Sequence, residues 1–295
     1  MTDIARLGVL GAGQMGSGIA QAAATAGIPV VVRDLEEGML ARGEGAILSS
    51  LNKLVEKARL DSSAREAALA RLTFTTELGD VADCDLVIEA VPEDLRLKTE
   101  LWRALDTVVP PRTIFASNTS SLSIGDMAAA TVRADRFVGL HFFNPVPLMP
   151  LVEVVRAVTT SDATVATALA FVRRLGKEPI AARDRSGFVV NRLLVPYLLD
   201  AVRALEDGTA TATDIDRGMQ LGCGHPMGPL ALLDFIGLDT VARIAGIMLE
   251  EFHEPRFAPP PLLRRMVTAG LHGRKSGRGF YDYSVEPPAP TDFGR

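Results

Sequence analysis

The first half of the chain alternates short apolar runs with longer segments of helical character. RLGVLGAG, IPVVVRD, LTFTTE, CDLVIEAV, TIFASNT and RFVGLHFF are β-rich and bounded by Gly, Pro or Asp. QMGSGIAQAAATAG and LRLKTELWRALDTVV, with helical composition, lie between them. Continuous apolar strands separated by helices predict a mostly parallel sheet covered on both faces. LVEVVRA and KEPIAA predict two further strands. The connection from Leu35 to Arg71 far exceeds the roughly dozen residues that a crossover needs. Its composition is helix-forming, broken once at DSS. It predicts an inserted helical hairpin over about 36–71 that projects from the sheet.

After about Gly187 the strands stop. GFVVNRLLVPYLLDAVRALEDG, TATDIDRGMQLG, PLALLDFIGLDTVARIAGIMLEEF and PPLLRRMVTAG are helical by period and composition. GFVVNRLLVPYLLDAV is apolar nearly all round, which predicts burial on more than one side. Asp214 is the expected cap of the helix DIDRGMQ, and Pro226 and Pro229 mark the break after it. The tail SVEPPAPTDFGR has no core-forming pattern and is expected to be mobile. The division expected is an α/β domain over 1–186, an all-α domain over 187–283 and a tail over 284–295.

Composition narrows the function classes. The 295 residues carry a net charge of −5 with only 5% aromatics. There is no basic block to track a phosphate backbone and no stacking surface, so nucleic-acid binding is not expected. The two cysteines show no CxxC spacing, so neither a zinc site nor a disulfide framework is indicated, and no metal is expected. The N-terminal MTDIARLGVLGAG lacks the basic-then-apolar order of a signal peptide. No apolar stretch reaches the roughly 18 residues of a spanning helix. A soluble, cytoplasmic protein without membrane association is expected.

The chemistry begins at GAGQMG, Gly11 to Gly16, which follows a strand and opens a helix. In that context G-x-G-x-x-G is a dinucleotide fingerprint. Gly11 permits the tight turn, Gly13 lets the backbone approach a pyrophosphate, and Gly16 allows close helix–sheet packing. Gln14 and Met15 start the helix over the same site. Asp34 ends the second strand at the spacing expected of a ribose-binding acid. A carboxylate there accepts from ribose hydroxyls and repels a 2′-phosphate, favouring NAD over NADP. Glu36 and Glu37 add to that repulsion, and Arg33 opposes it. A Rossmann-type sheet follows.

Ligands of such sheets bind beyond the carboxyl ends of the strands. Glu93 and Lys98 follow the fourth strand, as ligand contacts or as ordinary helix-starting charges. SNTSSLSI, residues 117–124, follows the fifth, placing Ser120 and its neighbours there as turn and cap residues or as donors to a substrate oxygen. His141 ends the sixth strand, and Glu153 lies twelve residues later inside an apolar run. Each costs free energy if buried alone, so a pair is expected. The pair is either a satisfied core contact or a general base with its orienting acid.

These segments together resemble one family. GxGxMGxGIA, EAVPEDLRLKTELW, SNTSSLSI, HFFNPVPLMPLVEVV, SGFVVNRLLVPYLLDA, GHPMGPLALLDFIGLD and GRKSGRGFYDY are similar to L-3-hydroxyacyl-CoA dehydrogenases, including the bacterial 3-hydroxybutyryl-CoA type. The resemblance runs from residue 6 to about 283. It implies NAD as cofactor, an acyl-CoA substrate, a homodimer and a place in fatty-acid β-oxidation. It implies His141 as catalytic base with Glu153 as partner. Ser120, Asn144 and Asn191 would hold the substrate's reacting end and the nicotinamide. Asp34, Glu93, Lys98 and Lys275 would contact NAD, and Ser50 and Lys57 on the hairpin would contact CoA. Pro150 departs from the family, where many members have Lys. The rival readings are a non-CoA hydroxy acid such as gulonate on the same fold, and a non-catalytic NAD-binding protein.

Overall fold

The computed structural model describes residues 3–291. The chain forms two compact units, one ending at Phe188 and the other beginning at Val189.

The first unit is built on one eight-stranded sheet: β1 (Leu7–Leu10), β2 (Val30–Arg33), β3 (Leu72–Thr75), β4 (Leu86–Glu89), β5 (Ile114–Ser117), β6 (Phe137–Phe142), β7 (Leu151–Arg156) and β8 (Glu178–Arg183). Their order across the sheet is β3-β2-β1-β4-β5-β6-β7-β8. The six strands expected from the first half and the two added after them are the eight observed. Only the β6–β7 pairing is antiparallel. Strand order reverses between β1 and β4, the point at which a doubly wound sheet opens a crevice at its carboxyl edge. The last residues there are aligned: Leu10 pairs with Arg33 and with Glu89, and Glu89 with Ser117.

Helix α1 (Gln14–Thr25) follows β1. The long crossover forms α2 (Glu37–Glu56) and α3 (Ser62–Leu69). Asp61, from the DSS break, caps α3 by accepting the Ala64 N–H at 2.6 Å. The expected helical hairpin is formed, and α2 is also seated on its neighbour. Leu40, Gly43, Ile47 and Leu51 recur at helical spacing, are buried, and seat α2 beside α1. Gly43 is needed there, because a Cβ would lie 2.7 Å from the Ala12 carbonyl oxygen. Helices α4 (Leu95–Asp106), α5 (Ile124–Ala128) and α6 (Asp162–Arg174) complete the layers on the sheet.

The second unit contains α7 (Val190–Glu206), α8 (Ala212–Cys223), α9 (Pro229–Ile236), α10 (Leu238–Phe252) and α11 (Pro261–Thr268). The cap of α8 is Thr211, whose hydroxyl accepts the Asp214 N–H at 3.1 Å; Asp214 lies inside the first turn instead of capping it. Both residue types favour that end of a helix, and the backbone starts the helix earlier than the apolar pattern indicates. Helix α9 has a glycine cap that cannot accept. Asp216 of α8 takes its place, accepting the Leu230 and Ala231 N–H groups at 2.7 and 2.9 Å. Asp234 is fully buried and anchors GFYDY by accepting from the Phe280 and Tyr281 N–H groups and the Tyr283 hydroxyl. Through residue 291 the tail makes backbone pairings that its sequence does not announce. A two-residue strand β10 (Ala289–Pro290) pairs with β9 (Tyr281–Asp282), and Thr291 bonds back to Phe280 and Gly279. Backbone pairing needs no apolar pattern, which is why the sequence hides it; residues 292–295 lie outside those described.

Candidate active site

The glycine loop fits tight backbone geometry. Gly11 has φ +103°, and a Cβ would lie 2.7 Å from the Ala90 carbonyl oxygen. A Cβ on Gly16 would lie 1.8 Å from the Gly11 carbonyl oxygen. Around Gly13, by contrast, a Cβ would meet nothing within 4 Å. Gly13 caps α1 without a side chain, and the helix's own bonding begins with the Ser17 N–H on the Gly13 carbonyl. The first N–H groups of α1, from exposed Gln14, half-buried Met15 and Gly16, therefore face the open space beside Gly13. That is a built anion cradle and fits a pyrophosphate. Asp34, just past β2, accepts the Ala12 N–H at 2.7 Å and the Leu35 N–H at 2.7 Å. It thus holds the loop as well as ending the strand, with further lone pairs for ribose hydroxyls.

On the other side of the strand-order reversal lies a buried ion cluster. Lys98 of α4 is 1% exposed. Its ammonium meets Glu89 Oε1 at 2.5 Å, Glu93 Oε2 at 3.2 Å and the Val91 carbonyl at 3.3 Å. Glu93 Oε1 accepts from the Thr119 hydroxyl, the Ser120 N–H and the Ser121 hydroxyl. Burial opposes the charge on Glu93, but Lys98 and these donors outweigh it and hold its carboxyl below the ordinary range. The 119–121 turn is therefore shaped by an ionised glutamate.

His141 and Glu153 are direct partners across the antiparallel β6–β7 pair. Cross-strand partners share a face, so the reversal of strand direction brings the two together. His141 Nδ1 lies 2.6 Å from Glu153 Oε2, and both residues are buried. Gly139 pairs with Ser117, so His141 stands two residues beyond the aligned strand ends, where the crevice opens. Phe143 and Phe188 pack on its ring at centroid distances of 4.6 and 5.6 Å. Asn118 Oδ1 accepts the Phe142 N–H at 2.9 Å and ties the Ser120 turn to the end of the histidine's strand. Lys177 donates to the Val146 and Met149 carbonyls and pins the loop that carries Asn144.

A fingerprint cradle, a strand-end acid and a carboxylate-oriented imidazole thus share one sheet edge. Residues 6–185 match the family model for the NAD binding domain of 3-hydroxyacyl-CoA dehydrogenase, and residues 187–283 match that enzyme's C-terminal domain. The chain belongs to the 3-hydroxyacyl-CoA dehydrogenase family. It is 52% identical over 286 residues to a 3-hydroxybutyryl-CoA dehydrogenase of Mycobacterium tuberculosis, covering 96% of this chain and 100% of that protein. The crystal structure of the (S)-3-hydroxybutyryl-CoA dehydrogenase from Ralstonia eutropha superposes with a TM-score of 0.93 at 47% identity, over 96% of this chain and 100% of that one. A diketoreductase structure matches with a TM-score of 0.83 at 33% identity, over 96% and 100%.

Of the residues expected from sequence to form the family's site, the first unit gathers Gly11, Gly13, Gln14, Met15, Gly16, Asp34, Glu93, Ser120, His141 and Glu153 at one edge of the sheet. Asn144 is exposed on the loop after β6. Ser50 is half-buried in α2, and Lys57 is exposed at its end. Asn191 opens α7 in the second unit, as its second residue. Lys275 is also in that unit, exposed and paired with Asp239 at 2.5 Å. Pro150, where Lys is common, is exposed, and its carbonyl accepts the Glu178 N–H.

Lys98 does not lie on a solvated helix face: it is buried, and its ammonium meets Glu89, Glu93 and the Val91 carbonyl. Sequence reading placed the amide of Asn118 at this edge but missed Glu89 and Ser117 as parts of the site. Glu89 did carry a signal: like Asp34, it is a lone acid ending an apolar strand. Among the described residues, no helix is long and apolar enough to cross a membrane, and no group of three or more His, Cys, Asp or Glu could hold a metal ion.

Proposed function

We propose that this protein catalyses NAD-dependent interconversion of (S)-3-hydroxyacyl-CoA and 3-oxoacyl-CoA, with 3-hydroxybutyryl-CoA and acetoacetyl-CoA as substrates. The observation that carries the reading is the buried His141–Glu153 pair at 2.6 Å, on the carboxyl edge beside the glycine cradle. Bound NAD supplies the hydride acceptor for C3. Glu153 accepts from Nδ1–H, which leaves the Nε2 lone pair of His141 free to take the hydroxyl proton. As the imidazolium forms, the carboxylate stabilises it. Ser120, held by Glu93, donates to the reacting oxygen, and Asn144 to the substrate's reacting end or the nicotinamide; for Asn191 a donor role rests on the family resemblance alone. For Lys275 a cofactor contact likewise rests on the family resemblance alone. A role in fatty-acid β-oxidation in the cytoplasm is part of the same proposal and rests on the resemblance of the sequence motifs to this family. A homodimer is supported by Leu193 and Leu221, left 72% and 74% exposed on α7 and α8.

The test is NADH oxidation with acetoacetyl-CoA. The diketoreductase likeness and the gulonate alternative define its rival arms: a free dicarbonyl with NADH, and gulonate with NAD. Turnover confined to the free compounds would replace the CoA assignment. No turnover with any of them would leave a non-catalytic NAD-binding protein.

CoA recognition is assigned to Ser50 and Lys57. Lys57→Ala is expected to raise KM for acetoacetyl-CoA several-fold, and to change KM little for a truncated thioester that lacks the nucleotide phosphates. Equal changes for both would indicate hairpin distortion.

Cofactor choice is assigned to Asp34. Asp34→Ser is expected to lower the NAD/NADP ratio of kcat/KM by at least about tenfold, because it removes both the ribose acceptor and the repulsion of a 2′-phosphate. Arg33, whose Nε donates to the Thr76 carbonyl, is the alternative determinant if that ratio does not move.

A further inference from the structure

Glu89 has no role in the reading above, yet it is fully buried at the point where strand order reverses. It pairs in register with Leu10, the residue before the glycine loop. Oε1 accepts from the Lys98 ammonium at 2.5 Å and the Val91 N–H at 2.8 Å, and Oε2 accepts from the Ser117 hydroxyl at 2.6 Å. Three donors converge on its two oxygens, a full set of partners for a carboxylate. Glu93, beside it, shares the same ammonium and is held in its charged form by Lys98 and its own donors. Two buried carboxylates share one ammonium, so the cluster retains one net negative charge. A plain ion pair would have had none.

The position of that charge follows from the sheet. Asp34 on the β2 side takes the adenosine ribose, and the α1 N-terminus takes the pyrophosphate. The other half of the dinucleotide must then extend across the reversal toward β4, β5 and the His141 strand. That is where the cluster lies. The nicotinamide ring is cationic when oxidised and neutral when reduced, so a fixed negative charge nearby discriminates between the two forms.

We propose that the Glu89–Lys98–Glu93 cluster sets the redox poise of the bound cofactor, its surplus negative charge favouring NAD⁺ over NADH. Glu89 is a positioning residue that acts through its charge and through Lys98, without touching the substrate. Stabilising the oxidised form makes bound NADH the stronger reductant. The inference rests on the assignment of this crevice to NAD. For unit charges on the order of 10 Å apart at an effective dielectric of about 20, the discrimination is roughly tenfold.

The experiment measures dissociation constants for NADH by fluorescence and for NAD⁺ by competition, without substrate. Glu89→Gln, which makes the cluster neutral, is expected to raise the ratio Kd(NAD⁺)/Kd(NADH) about tenfold. Glu93→Gln removes the same unit of charge and must move the ratio in the same direction, including where the Glu89 variant does not fold. The double substitution Glu89→Gln with Lys98→Met leaves Glu93 as the sole charge and returns the cluster to −1, so the ratio should recover. Parallel weakening of both nucleotides at an unchanged ratio, or a double variant worse than the single, would mean that the cluster only supports the fold, and would overturn the proposal. Wild-type protein that binds neither nucleotide would overturn the NAD assignment together with it.

Discussion

His141→Gln is expected to lower kcat by roughly 10²–10⁴ while NADH affinity stays within about twofold of wild type. Gln nearly fills the imidazole's space and can still meet Glu153, but it cannot take a proton near neutral pH. The cradle for the dinucleotide is formed by β1, α1 and β2, none of which this change touches. Glu153→Gln should also slow turnover by at least about tenfold. It keeps the volume of a fully buried side chain but removes the charge that faces the imidazolium across 2.6 Å. Single-turnover rates with acetoacetyl-CoA, alongside NADH titrations, separate the two effects. Near-normal turnover in the His141 variant would end its assignment as the base. Full activity with a lowered melting temperature in the Glu153 variant would make that carboxylate structural.

The second large effect is expected from a single methyl group added in the first turn of α1. Gly16→Ala should weaken NADH binding by at least about 100-fold or prevent the first unit from folding. The added Cβ would lie 1.8 Å from the Gly11 carbonyl oxygen, well inside contact distance, and the obstacle is backbone. Relief requires shifting the first turn of α1 away from β1, and that turn carries the N–H groups offered to the pyrophosphate. Gly13→Ala is the control. Its Cβ meets no protein atom within 4 Å, so the apo protein should keep its melting temperature and lose only cofactor affinity. Thermal denaturation with and without NADH checks both. Unchanged NADH affinity in the Gly16 variant would mean that the helix can retreat without cost to the site.

The sequence reading and the structure differ in an orderly way. Each of the eight strands was legible, because continuous apolar runs bounded by Gly, Pro or Asp leave little room for another reading. The glycine loop was legible for a related reason: its demands fall on consecutive residues, and local spacing encodes them. The hairpin was legible from the length and helical composition of its crossover, but its seat against α1 was not. That seat depends on Gly43 meeting the Ala12 carbonyl, a contact between segments separated in sequence. The cap of α8 was misplaced by three residues, because Thr211 and Asp214 are both good caps and only the backbone path chooses between them.

The site divides along the same line. The sequence by itself determined that a histidine and a glutamate in apolar strands need each other, since neither is stable when buried alone. It also determined which acid ends β2. Only the tertiary structure decided that β7 turns back antiparallel and sets Glu153 opposite His141 in register. Only the structure showed that Lys98 lies between two carboxylates, one of them Glu89, instead of at the surface. Periodicity along a chain reports which face of an element is apolar. It does not report which distant charge meets a buried one, because that pairing is fixed by strand order and register, and these are set by the packing of the whole sheet.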